Sequence, residues 1–176
     1  MAAGKKNPQG PFSAALAMLA RRPYSVAELR RKLQQKFGPD AKIASAISRL
    51  RELKFLDDKK LAERTAASLA RNRLYGPHRI RRELKASLVN YQYIEPAIEH
   101  AYEETPTRQL LEQALAKKLR TLRLPLTRAR FYSLCQSLMR MGFNSDDIMK
   151  TVRARPELKP VAEEVEPADL EEASEL

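Results

Sequence analysis

The side chains equipped for chemistry in this sequence are cations, and they come in clusters. These are Arg21-Arg22; Arg30-Arg31-Lys32 with Lys36; Arg71 with Arg73; Arg79, Arg81-Arg82 and Lys85; Lys117-Lys118 with Arg120 and Arg123; and Arg128 with Arg130. Guanidinium and ammonium groups bind phosphate and carboxylate oxygens, and several on one surface release the counterions condensed on a nucleic acid. Such clusters track a charged strand or filament without reading its sequence. Candidates for bond-making chemistry are few. His78 and His100 are the only histidines, and there is no phosphate-binding glycine loop, dinucleotide motif or zinc-ligand spacing. The acidic pairs Asp57-Asp58 and Asp146-Asp147 stand at helix starts, where a carboxylate is favoured by the unpaired N–H groups and the dipole. The single cysteine, Cys135, lies beside Leu134 and near Leu138 and reads as a small core residue. The expectation is a binding protein with no active site, no metal and no cofactor.

The elements that must position these cations are helices. Few glycines, no tryptophan and an abundance of Ala, Leu, Arg, Lys and Glu favour an all-α chain. The first helix runs over about 12–21 and ends before Pro23. Ser25 and Glu28 form a capping box for a second helix through Phe37, with Leu29, Leu33 and Phe37 along one stripe. Asp40 caps a third helix carrying Ile43, Ile47 and Leu50, and Asp57 or Asp58 caps a fourth over about 59–72. Gly76-Pro77 then opens a helix through about Leu88. Ile80, Leu84 and Leu88 form its apolar stripe, with His78, Arg81, Arg82 and Lys85 on the opposite side. Further helices are expected from about Ile94, Pro106, Thr127 and Asn144 or Ser145, with Gly142 at a helix C-terminus. Tyr91, Tyr93 and Tyr102 are candidates for base stacking, but alternating aromatics beside Ile94 and Ile98 are more often core.

These helices repeat. Ser25, Gly76 and Thr127 are spaced by 51 residues, as are Leu29, Ile80 and Phe131. Ile43 and Ile47 recur 51 later as Ile94 and Ile98, then 54 later as Ile148 and Val152. Three tandem three-helix repeats account for this, at residues 11–56, 57–104 and 105–155, forming an elongated, curved, modular body. Residues 1–10 read as a flexible tail, and residues 156–176 as a disordered acidic one. The charge is divided accordingly: the net +11 comprises eight acids and one base after residue 155, and 32 Lys and Arg against 14 Asp and Glu before it. A basic body of this kind points to a polyanionic partner, with nucleic acid first, and an acidic segment would compete with it. No apolar run is long enough for a membrane span and no secretory signal is evident, so a cytoplasmic monomer is expected.

Several of these stretches resemble one family. Arg21-Arg22-Pro23-Tyr24-Ser25-Val26-Ala27-Glu28-Leu29-Arg30-Arg31-Lys32-Leu33 is similar to the first-repeat signature of the RecX family, regulators of the RecA recombinase. Phe55-Leu56-Asp57-Asp58 with Ala62, and Tyr75-Gly76-Pro77-His78-Arg79-Ile80-Arg81-Arg82-Glu83-Leu84, resemble the second-repeat motifs. Arg140-Met141-Gly142-Phe143, followed by Ile148, resembles the closing motif, so the likeness spans about residues 12–155. Two positions depart from the family's habit: no glycine follows Lys85-Ala86-Ser87, and Met141 stands where an arginine usually precedes Gly142. The resemblance implies a protein that binds RecA and its filament and inhibits ATPase, strand-exchange and co-protease activities in recombination, DNA repair and the SOS response. It also implies non-specific binding to single- and double-stranded DNA. The basic faces, including Arg140, are the expected contacts. A general nucleic-acid-binding module with no recombinase partner is the alternative.

Overall fold

In the computed structural model, which describes residues 10–103 and 105–160, all regular structure is helical. Among the described residues the α-helices are α1 (Pro11–Leu19), α2 (Val26–Phe37), α3 (Ala41–Glu52), α4 (Asp58–Arg73), α5 (Pro77–Ala86), α6 (Ile94–Glu103), α7 (Thr107–Leu119), α8 (Arg128–Arg140) and α9 (Ser145–Arg153). Their starts follow the sequence signals. Ser25, Asp40, Asp57, Thr127 and Asn144 each accept a backbone N–H from the first turn, and Pro77 occupies the first position of α5. Of the acidic pair at α4, Asp57 is therefore the cap. Asp58 accepts instead from Val26 N at 2.8 Å, tying the start of α4 to the start of α2. The capping box at Ser25 is only half made: Ser25 Oγ accepts from Glu28 N, while the Glu28 carboxylate turns to Arg22.

The helices pack in triplets, α1–α3, α4–α6 and α7–α9, with α4 against α6 the most extensive contact. Ala62, Ala66 and Ala70 of α4 are fully buried at four-residue spacing and face a helix that buries Ala97 and Ala101. Small side chains on both sides let two helix axes approach closely. The first triplet closes its own core around Leu29, Leu33, Ile47 and Leu50. The second and third share one continuous core, from Ala62 through Ile80 and Leu84 to Leu138 and Ile148.

Successive triplets meet at equivalent places twice. Ser25, at the start of α2, donates its hydroxyl to the carbonyl of Ser87, at the end of α5, at 2.6 Å. Gly76, 51 residues later, donates its N–H to the carbonyl of Met141, at the end of α8, at 2.8 Å. At this second junction His78 N also donates to Gly142 O at 3.2 Å. A Cβ on Gly76 would lie 2.3 Å from Gly142 O, and one on Gly142 2.3 Å from Arg79 N. Glycine is required at both because two backbones meet without space for a side chain.

The basic body ends later than its charge pattern implies. Within residues 156–160, assigned by sequence to the disordered acidic segment, Pro156–Leu158 forms a 3-10 turn and Leu158 alone is buried, in the shared core. One leucine amid charged residues carries too little periodicity to be read as core in advance. The expected tails over 1–9 and 161–176 lie outside the described residues.

Candidate nucleic-acid and partner interface

The expected contact residues divide into cations held by neighbours and cations left on the surface. In the first triplet, Arg22 makes two hydrogen bonds to Glu28, at 2.6 and 3.1 Å, and lies 3.7 Å from the centre of the Tyr24 ring. The hydrogen bond to Glu28 raises the Arg22 pKa above its ordinary value, and the pair fixes the approach to α2. Arg21, Arg30, Arg31 and Lys36 are exposed and Lys32 half-buried, and none forms an ion pair among the described residues. The Lys36 ammonium stands 5.4 Å from the Phe37 ring centre.

On α4 and α5 the division is sharper. Arg71 and Arg73 are exposed at the end of α4. Arg79 pairs with Glu83 at 2.7 Å, as their four-residue spacing suggests, and lies 5.2 Å from the Tyr75 ring centre. Arg81, expected on the contact face, grips Glu95 of α6 through two bonds of 2.5 and 2.6 Å. That hydrogen bonding holds the Glu95 carboxyl below its ordinary pKa and raises that of Arg81. Nothing local in the sequence signals the pairing, because its partner is 14 residues away on another helix. Arg82 and Lys85 are exposed and form no ion pair among the described residues. In the third triplet, Lys117 and Arg120 are exposed and Lys118 half-buried near the end of α7, while Arg128, Arg130 and Arg140 are exposed on α8.

The second helix of every triplet thus presents exposed cations that form no ion pair among the described residues: Arg30 and Arg31 on α2, Arg82 and Lys85 on α5, and Arg128, Arg130 and Arg140 on α8. Because α2 starts on the end of α5, and α5 on the end of α8, the three helices are linked end to start. Charge-assisted hydrogen bonding to a polyanion is the chemistry this arrangement supports.

Two of the three candidate tyrosines pack on the core, as their place beside Ile94 and Ile98 suggests, and one does not. Tyr102 is half-buried and donates its hydroxyl to Tyr75 O at 2.6 Å, and burial raises its pKa. Tyr93 packs on the core, whereas Tyr91 is 83% exposed. Phe55, not anticipated as a surface group, is 57% exposed. Cys135 is buried, which raises its thiol pKa, in keeping with a structural residue. Among the described residues no group of His, Cys, Asp and Glu is placed to hold a metal ion, and no helix is long and apolar enough to cross a membrane.

Comparison with known proteins speaks to the family and the fold. Residues 12–50, covering α1 to α3, match the family model for the first three-helix domain of RecX. The regulatory protein RecX of Chlorobaculum tepidum is 33% identical over 85% of this chain and 89% of its own length. That of Stenotrophomonas maltophilia is 30% identical over 85% and 89%. A crystal structure of RecX from Lactobacillus salivarius superposes with a TM-score of 0.65, covering 82% of this chain and 93% of that one, at 22% identity. At that identity the superposition speaks for the fold.

Proposed function

Since the chain belongs to the RecX family of regulatory proteins, we propose that it binds the RecA recombinase and its nucleoprotein filament in the cytoplasm and inhibits the filament's activities. These are ATP hydrolysis, strand exchange and co-protease function, so the protein acts in recombination, DNA repair and the SOS response. The observation that carries the reading is the match to a regulatory relative along almost the full length of both chains. The exposed cations on α2, α5 and α8 support a surface that bridges recombinase and DNA phosphates. We assign that work to three units, residues 11–56, 57–104 and 105–155, acting without an active site or cofactor, as a monomer.

The same cations favour a second reading, a general nucleic-acid-binding module with no recombinase partner. Both readings predict salt-sensitive binding to single- and double-stranded DNA. Capture of purified recombinase by the immobilised protein in the absence of DNA separates them. Stoichiometric capture is expected; no capture, with DNA retention intact, leaves the second reading in place.

A further inference from the structure

The helix ends provide a standard for judging exposed apolar groups. α3, α5 and α8 all close with the same backbone motif, in which a residue of positive φ is followed by one whose N–H returns to the carbonyl five residues back. The pairs are Lys54 (φ 58°) with Phe55 N to Leu50 O, Leu88 (φ 53°) with Val89 N to Leu84 O, and Gly142 (φ 94°) with Phe143 N to Leu138 O. The apolar residue after the positive-φ position ordinarily folds back on its own helix. Val89 and Phe143 do so, at 6% and 3% exposure, but Phe55 is 57% exposed.

Phe55 lines a groove of about 460 Å³ between the first and second triplets. Tyr24, Lys54, Asp57, Lys60 and Arg64 are among its other walls. The charge balance there is positive. The one carboxylate, Asp57, caps α4 by accepting Lys60 N at 3.0 Å and lies 3.9 Å from the Lys60 ammonium. Lys54 and Arg64 are exposed and form no ion pair among the described residues. Tyr24 is half-buried with one ring face covered by Arg22, and Phe55 is the more exposed aromatic ring of the groove.

We infer that this groove is a stacking site for single-stranded nucleic acid, with one base on Phe55 and its flanking phosphates on Lys54, Lys60 and Arg64. Stacking on an aromatic ring accepts any base, and cations beside the ring follow the backbone. A paired base inside a duplex has no free face to offer, so the site distinguishes single strand from duplex. The inference rests on the nucleic-acid part of the proposed function and places a second kind of contact beside the duplex-tolerant cations of α2, α5 and α8.

The test measures binding of the full chain to fluorescent oligothymidylate and to a duplex of equal length, across a salt series. Phe55→Ala and Phe55→Leu are expected to weaken single-strand binding about tenfold, within the range seen for loss of one stacked base, with duplex binding unchanged. Phe55→Tyr restores it. Lys60→Gln and Arg64→Gln each lower the single-strand salt slope by about 0.7, the value for one lost phosphate contact, whereas Phe55→Ala leaves the slope unaltered. Wild-type single-strand affinity in Phe55→Ala, an equal loss on duplex, or no single-strand binding by the wild type would overturn the inference. Capture of recombinase by the Phe55→Ala protein reports separately on the proposed function.

Discussion

At the scale of residues, charge alone is a poor guide to contact, because neighbours decide which cations are available. Arg81 and Arg82 are adjacent in sequence and both read as contact groups. Yet Arg81 is bound twice to Glu95 while Arg82 is left on the surface. The local pair Arg79–Glu83 was legible from its spacing; the pairs Arg22–Glu28 and Arg81–Glu95 were not, since tertiary geometry creates them. Glu95→Gln removes the acceptor charge and frees the Arg81 guanidinium. The variant should steepen the salt dependence of duplex binding by about one phosphate contact. Its stability should also depend less on pH in acid. The Glu95 pKa is depressed in the folded state, so its contribution is present above the unfolded value and is lost as pH falls through the folded one. With the Glu95 side chain 51% exposed, that contribution is under about 1 kcal/mol. Thermal melts between about pH 3 and 6 and a salt titration check both effects; an unchanged slope and an unchanged acid limb would show that Arg81 is not held in reserve by Glu95.

At the scale of elements, the helices were legible because their signals are local. Ser25, Asp40 and Gly76-Pro77 start helices where caps and prolines favour them, and Ile80 and Leu84 are fully buried as their stripe requires. Helix ends were less legible. Gly142 announced a left-handed turn, but Lys54, Leu74 and Leu88 adopt positive φ with no glycine to mark it. The missing glycine after Ser87 is thus met by Leu88 entering that region itself, driven by the two backbone bonds that close α5. A side chain in this conformation costs about 1 kcal/mol relative to glycine. Lys54 is exposed, so Lys54→Gly removes the strain without opening a cavity. It should raise stability by up to about 1 kcal/mol in denaturant melts, with the slope unchanged; destabilisation would mean that the Lys54 side chain supports the α3 end.

At the scale of the whole molecule, periodicity carried the reading. The 51- and 54-residue spacings seen in the sequence reappear as geometry, since Ser25 meets Ser87 and Gly76 meets Met141 at equivalent places. What spacing did not reveal is that the junctions differ in kind. A side-chain hydroxyl and a carboxylate link the first two triplets, whereas two glycine backbones and a continuous core join the last two. Nor did it reveal the Phe55 groove, which exists only once the first and second triplets are set side by side. The chain therefore presents one triplet with its own core beside a fused pair, with available cations on the second helix of each. The central claim is that this surface restrains a recombinase filament, and ATP hydrolysis by the cognate recombinase on single-stranded DNA tests it most directly. Adding the protein up to stoichiometric amounts should suppress hydrolysis progressively, and undiminished hydrolysis at equimolar protein would contradict it.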